Sequence, residues 1–154
     1  MVGLTKKDRV ALLRSVWLFE RCTGREIGLL DRATSEAEVP AGRVLATQGE
    51  LGREFVVIVD GRAEVTRDGV QIAMLGAGSF FGEMSLLDQQ PRAATVTTVE
   101  PTRLLVMTPT EFNSVVSTMP SVDRKMLVVL VERLREIEAK YVPAAERLSP
   151  AELT

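Results

Sequence analysis

The central part of the chain, residues 35–107, is divided into short β-prone segments, and this pattern constrains the fold more than any other feature. The segments "EFVVIV" and "RAEVTR" are separated by Asp60-Gly61, and "RAEVTR" and "VQIAML" by Asp68-Gly69. Asp-Gly between two β-prone runs is a strong signal for a two-residue hairpin. Two further β-prone segments, "AATVTTV" and "TRLLVM", follow. The pattern predicts an antiparallel sandwich or barrel, in the form of a small jelly roll.

Helical periodicity flanks this region on both sides. Residues 4–19 predict one helix with Thr5 as its N-cap, and residues 23–33 a second, short one. A short helix follows the last strand, and a long helix is predicted over 121–141 with Ser121 as its N-cap. The predicted organisation is a mainly β domain with flanking helices: N-terminal helices over 1–34, a β-roll over 35–108, C-terminal helices over 109–141 and a loosely ordered tail over 142–154.

Several function classes are disfavoured by composition. The chain contains no histidine, which excludes Ser-His or Cys-His nucleophile pairs and His-ligated metal sites. Its net charge of −2 gives no general reason to expect nucleic-acid binding. The longest apolar run, "MLVVLV", is far shorter than the roughly 20 residues of a membrane span. We therefore expect a soluble cytoplasmic protein that is not an enzyme and that needs no metal or cofactor.

The stretch "FFGEMSLLDQQPRAATV" combines residue types that suit a sugar phosphate. Gly82 permits a sharp turn, and the short helical segment after it begins with unpaired N–H groups that can hold an anion. The planar guanidinium of Arg92 suits a phosphate, while the carboxylate of Glu83 accepts a hydrogen bond from a hydroxyl. Ala93 and Ala94 have minimal side chains, so that a ligand can approach the backbone there closely.

This stretch resembles the phosphate-binding cassette of the cyclic-nucleotide-binding domain family, whose pattern is F-G-E-[LM]-[SA]-L-L-x-x-x-P-R-x-A-[TS]-V. The match is nearly unbroken over 81–96. The preceding segment "VPAGRVLATQGELGREFVVIVDGRAEV" resembles the first hairpins of the family, including their glycines. The resemblance covers roughly residues 15–140. It implies a jelly roll that senses a cyclic nucleotide and does not catalyse a reaction.

Carried over position by position, the resemblance implies the role of each site residue. Arg92 would bind the exocyclic phosphate oxygens, and Glu83 the ribose 2′-hydroxyl. Gly82 would lie against the ribose, and backbone N–H groups near Ser85 and Ala93 would complete the phosphate cradle. The apolar wall around the base would consist of Val65, Ala73, Leu75 and Met84, and Arg133 of the long helix would stand where some channels place a base-contacting arginine.

The resemblance also bears on ligand choice and output. Ala93 lacks the hydroxyl that cGMP-preferring kinase sites carry after the cassette arginine, so cAMP is expected to bind better than cGMP. No DNA-binding domain is expected, because only 13 residues follow Tyr141. A regulatory role with an unknown protein partner is the main hypothesis. A ligand-independent structural or dimerisation module with a vestigial pocket is the alternative, and a cupin-like enzyme is disfavoured by the absence of histidine.

The long helix carries a seam of apolar residues at 3-4-3-4 spacing: Leu127, Leu130, Leu134, Ile137 and Tyr141. Two interpretations of this seam remain open. A homodimer would pair helix 121–141 with its copy in a second chain, whereas in the other interpretation the helices of the same domain cover the seam.

Overall fold

Two short helices with capping boxes form the N-terminal part of the described structure. The structure, a computed structural model, describes residues 3–141. Helix α1 (Lys6–Arg14) follows Thr5, whose hydroxyl accepts a hydrogen bond from the backbone N–H of Asp8 as predicted. Helix α2 (Gly24–Leu30) follows Thr23, which caps it in the same way. Each cap satisfies backbone donors that the first helical turn leaves unpaired.

Helix α1 is shorter than the helix predicted over 4–19. It ends at Arg14, and the extended backbone of Val16 redirects the chain into a 3-10 turn, Trp17–Phe19. Because Leu18 and Phe19 of this turn are fully buried, the turn is anchored in the core. The apolar residues at the end of the predicted helix therefore lie in a turn, from which they pack into the core.

Within residues 3–141, eight strands form two four-stranded sheets, and every strand pairing there is antiparallel. The first sheet has the order β1-β8-β3-β6 and the second the order β2-β7-β4-β5. Together with the flanking helices this confirms the predicted jelly roll. The strands are β1 (Thr34–Val39), β2 (Val44–Ala46), β3 (Phe55–Asp60), β4 (Ala63–Arg67), β5 (Val70–Leu75), β6 (Phe80–Phe81), β7 (Thr95–Thr98) and β8 (Thr102–Met107).

Of the two predicted hairpins, one is confirmed and one is wrong. Strands β4 and β5 pair across Asp68-Gly69, whose φ angles of 51° and 79° suit a tight hairpin turn. Strand β3 pairs with β6 and β8 but not with β4, so the chain changes sheets at Asp60-Gly61. Gly61 is needed there for another reason, because a Cβ at this position would overlap Thr102 at the start of β8.

Strand β3 is buried on both faces, which explains its almost uninterrupted apolar sequence. Phe55 and Val57 face the helices, and Val56 and Ile58 face the second sheet. The ring of Phe55 packs edge-on against Phe19, with centroids 6.0 Å apart. The core therefore has two layers with β3 between them, one against the helices and one between the sheets.

The C-terminal part contains α3 (Pro109–Val116) and α4 (Pro120–Tyr141). The predicted N-cap of the long helix is wrong, because α4 begins at Pro120 and Ser121 lies within its first turn. The Ser121 hydroxyl instead donates a hydrogen bond of 2.8 Å to Glu26 of α2. Lys125 also donates to the Glu26 carboxylate, so these contacts fasten the start of α4 to the N-terminal helices.

One face of α4 is buried against the domain and the opposite face is exposed. Val122, Met126 and Val129 are buried. The exposed large apolar side chains of α4 are Leu127, Val131, Leu134, Ile137 and Tyr141.

No helix of the described residues is long and apolar enough to cross a membrane. The predicted tail over 142–154 lies outside the described residues.

Candidate functional site

A cavity of about 590 Å³ lies between the second sheet and the segment that was singled out as a phosphate-binding cassette. Its volume is in the range of small-molecule sites. All the predicted site residues except Arg133 line it: Val65, Ala73, Leu75, Gly82, Glu83, Met84, Ser85, Arg92, Ala93 and Ala94. Lining residues that were not among the predicted ligands are Ala46, Phe80, Phe81, Asp88, Gln90, Pro91 and Val96.

The guanidinium of Arg92 is held in the wall of this cavity. Its Nη1 donates to Ser85 Oγ at 3.2 Å, and its Nη2 donates to the carbonyl oxygen of Glu54 at 2.7 Å. Burial lowers the pKa of Arg92, while the negative charges of Glu54 and Glu83 oppose this effect. A guanidinium carries five N–H groups, so donors remain for an anion in the cavity.

The loop that carries Arg92 is fixed by backbone hydrogen bonds to the segment that precedes β3. Arg92 N donates to Glu50 O at 2.8 Å, and Gly49 N donates to Arg92 O at 2.8 Å. Gly52 N donates to Gln90 O at 3.1 Å. A Cβ at Gly52 would overlap the Arg92 side chain. Glycine at position 52 therefore leaves the space that the Arg92 side chain occupies.

Gly82 introduces the turn that presents Glu83. With φ 79° and ψ 12° it adopts the left-handed conformation, and a 3-10 turn (Glu83–Leu86) follows. Ser85 N donates to Gly82 O at 2.9 Å, so this amide is used inside the turn. The phosphate contact predicted near the Ser85 amide stays a prediction, while the Ser85 hydroxyl contacts Arg92.

Glu83 is half-buried and accepts a hydrogen bond that the sequence did not reveal. Trp17 Nε1 donates to Glu83 Oε1 at 3.1 Å, although the two residues are far apart in the chain. Glu83 and Arg92 line the same cavity without a hydrogen bond between them. The only available signal for Trp17 was general, namely that a buried indole N–H usually finds an acceptor.

The side of the cavity proposed to receive a base is apolar and open. Ala73 and Met84 are exposed, and Val65 and Leu75 are half-buried. Arg133 does not reach this opening. Its guanidinium carbon lies 4.5 Å from the centroid of the Trp17 ring, so the base contact assigned to Arg133 stays a prediction.

Comparisons with known proteins agree with this architecture. The sequence model of the cyclic nucleotide-binding domain family matches residues 36–119. A cyclic nucleotide-gated potassium channel of Rhizobium etli is 34% identical over 122 residues, which are 79% of this chain and 34% of the channel. The Cyclic AMP receptor protein of Thermus thermophilus is 30% identical over 126 residues, which are 79% of this chain and 58% of that protein. The chain thus spans only part of each relative's length.

A solved structure extends the similarity to the fold. The N-terminal domain of a transcriptional regulator from Streptomyces coelicolor A3(2) superposes with a TM-score of 0.76 at 27% sequence identity. The superposition covers 83% of this chain and 95% of that domain. The similarity therefore includes flanking helices as well as the sheets.

Proposed function

The chain belongs to the cyclic nucleotide-binding domain family, and from this premise we propose that the cavity beside Arg92 binds a cyclic nucleotide, preferring cAMP to cGMP. One observation carries the proposal: a cation and a hydrogen-bond acceptor line the same cavity without bonding each other. A cyclic nucleotide presents a phosphate and a ribose hydroxyl close together. Arg92 would take the first and Glu83 the second.

The phosphate end of the cavity supports the larger share of the expected affinity. Hydrogen bonds between ionised partners are short and strong, and a planar guanidinium can make two to one phosphate. Burial of Arg92 strengthens such a contact, because fewer waters compete for the charge. Gly82, Ala93 and Ala94 leave space for the ligand close to the backbone.

The preference for cAMP is supported by Ala93, which offers no hydroxyl beside Arg92. A hydrophobic wall of Val65, Leu75 and Met84 accepts either purine, so we expect the preference to be moderate. The name of the Thermus thermophilus relative agrees with cAMP as ligand. We propose that the nucleotide is bound unchanged, because the cavity lining offers no imidazole base.

A regulatory role would require that ligand binding change the structure or dynamics of a surface outside the cavity. We propose that α4 responds to the ligand and presents a changed surface to a partner. Leu130 of the apolar seam packs partly against the core, but the other four seam residues are exposed and also favour the second candidate, a dimerisation module that works without ligand. This candidate is supported by Leu134 and Tyr141, which are 64% and 69% exposed although they are large and apolar.

Isothermal titration of the purified chain with cAMP and with cGMP tests the proposal. We expect one cAMP per chain, weaker binding of cGMP, and no AMP in the mixture after prolonged incubation. A correctly folded protein that binds neither nucleotide at millimolar concentration would refute the sensor function and favour the ligand-independent module. Formation of AMP by pure protein would refute the non-catalytic assignment.

A further inference from the structure

A tryptophan outside the cassette connects Glu83 to helix α4. The indole N–H of Trp17 donates to Glu83 Oε1 at 3.1 Å, and Arg133 lies over the indole ring at 4.5 Å. This distance is within the range of a cation–π interaction. Trp17 does not itself line the cavity, so it acts on a ligand only through Glu83.

From this geometry we infer that Trp17 is a positioning residue for the ribose contact, an inference that rests on the proposed function. Among the described residues, Trp17 is the only donor that is hydrogen-bonded to the Glu83 carboxylate. A glutamate side chain otherwise has several rotamers, and ordering it during binding reduces affinity. The indole N–H engages Oε1 before the ligand arrives and leaves Oε2 to accept from the ribose 2′-hydroxyl.

The turn that holds Trp17 is anchored in the core. Leu18 and Phe19, which follow it directly, are fully buried, and Phe19 packs edge-on against Phe55 of β3. The Trp17 ring is half-buried between the domain and Arg133. The indole ring therefore lies between the core and Arg133 of α4.

The competing explanation is that Trp17 only packs against the core. The two explanations differ in which part of the ligand they affect. A packing residue influences the whole cavity, whereas a positioning residue for Glu83 influences only the contact with the 2′-hydroxyl. A ligand without this hydroxyl, 2′-deoxy-cAMP, separates the two effects.

The experiment compares the parent chain with Trp17→Phe by calorimetric titration with cAMP and with 2′-deoxy-cAMP. Phenylalanine keeps an aromatic ring under Arg133 and removes the N–H donor together with one ring of the indole, and 2′-deoxy-cAMP reports any effect of the lost ring area. We expect affinity for cAMP to fall by roughly 2- to 10-fold, the range of one ordinary hydrogen bond. Affinity for 2′-deoxy-cAMP should change by less than a factor of about two. This ligand has no 2′-hydroxyl, so it makes no contact with Glu83 that the substitution could weaken.

A double-mutant cycle with Glu83→Ala provides the second criterion. In the Glu83→Ala background, Trp17→Phe should have no further effect on cAMP binding. Equal losses for both ligands, no loss for either, or an undiminished effect of Trp17→Phe without Glu83 would each overturn the inference. A parent chain that binds neither ligand would instead refute the proposed function, and the inference would fall with it.

The parent chain gives an independent measurement if Trp17→Phe does not fold. Trp17 is the only tryptophan, so the fluorescence emission of the protein reports on this one side chain. We expect saturating cAMP to change the emission and saturating 2′-deoxy-cAMP to change it less. Identical emission changes with both ligands, or none with either while calorimetry detects binding, would contradict a link between Trp17 and the ribose hydroxyl.

Discussion

Gly82 lies directly against the guanidinium of Arg92, so that a Cβ at position 82 would come within 2.5 Å of Arg92 Nη1. The same Cβ would overlap the carbonyl oxygen of Glu54, the acceptor that holds Arg92 Nη2. The place of the arginine is therefore determined by the absence of a side chain at residue 82. The cassette needs glycine for space as well as for its backbone conformation.

The substitution Gly82→Ala should weaken cAMP binding and destabilise the fold. The left-handed conformation alone costs a non-glycine residue about 1–2 kcal/mol. The overlap with Arg92 adds to this cost and displaces the proposed phosphate ligand. Urea unfolding measures the stability, and calorimetric titration measures the affinity.

Gly69→Ala is the matched control for this substitution. Gly69 has the same φ of 79°, but a Cβ there would meet no atom of the described part of the chain within 4 Å. The Gly69→Ala variant should be destabilised only by the cost of the left-handed backbone conformation. Its affinity for cAMP should equal that of the parent. Equal losses of stability and affinity in the two variants would contradict a steric role for Gly82.

Arg92→Ala should reduce the affinity for cAMP by roughly 10-fold to several hundred-fold. Each hydrogen bond to a charged group contributes about 1.5–3 kcal/mol, and about 1.4 kcal/mol is a factor of ten. The variant should still fold, because the Arg92 side chain lines the cavity and is not part of the hydrophobic core. Arg62→Ala is the control, because its exposed ion pair with Glu100, 3.2 Å long, lies outside the cavity. Unchanged affinity in Arg92→Ala would refute the phosphate assignment.

The stability of the protein should depend on the ionisation of Glu26. Burial alone would raise the pKa of its carboxyl, but hydrogen bonds from Lys125, the Thr23 backbone and Ser121 outweigh burial and lower the pKa from 4.5 to about 2. A lowered pKa in the folded state means that the stabilisation is complete above pH 4.5 and is lost as the pH falls toward 2. Urea unfolding at a series of pH values detects this loss.

Glu26→Gln cannot ionise at this position. Its free energy of unfolding should therefore fall less between pH 5 and pH 2 than that of the parent. Above pH 5 it should be clearly less stable than the parent, because Lys125 then lacks its anionic partner. Glu20→Gln, at an exposed position of the same region, should keep the pH dependence of the parent. A parallel pH profile in the parent and Glu26→Gln would contradict the assignment.

The exposed seam of α4 should mediate self-association if the proposed homodimer exists. Leu134→Glu would place a charge at a seam position that is 64% exposed and should produce a monomer in sedimentation velocity. Val70→Glu is the control, because Val70 is also 64% exposed but lies on β5. A parent chain that is monomeric at all accessible concentrations would refute the homodimer and leave the seam to another partner.

The features that the sequence predicted best are those specified by neighbouring residues. The Asp68-Gly69 hairpin needs two residues with positive φ, and both are part of the signal itself. The Thr5 cap likewise depends on a residue three positions away. Within the cassette, Gly82 and Arg92 are close enough in the chain for one motif to contain both.

The features that were missed depend on contacts between distant segments. Asp60-Gly61 has the composition of a hairpin turn, but whether β4 pairs with β3 or crosses to the other sheet depends on β7 and β8. The contact between Trp17 and Glu83 joins the segment before β1 to the turn between β6 and β7, 66 positions apart in the chain. No local pattern of residues encodes either pairing.

Binding of cAMP in the cavity should be coupled to α4. Trp17 contacts both Glu83 and Arg133, so a ligand that engages Glu83 should alter the environment of the helix. Saturating cAMP should therefore change the hydrogen-exchange protection of residues 126–141 as well as protecting residues 82–94. A ligand can shift an equilibrium only between states that it binds differently, so the size of the change in α4 reports how strongly the two regions are coupled. Trp17→Phe should reduce the change in α4 while protection at 82–94 persists. Clear protection at 82–94 with no change in α4 of the parent would show that the cavity binds its ligand without acting on the helix, and the regulatory proposal would then lack a route to its output.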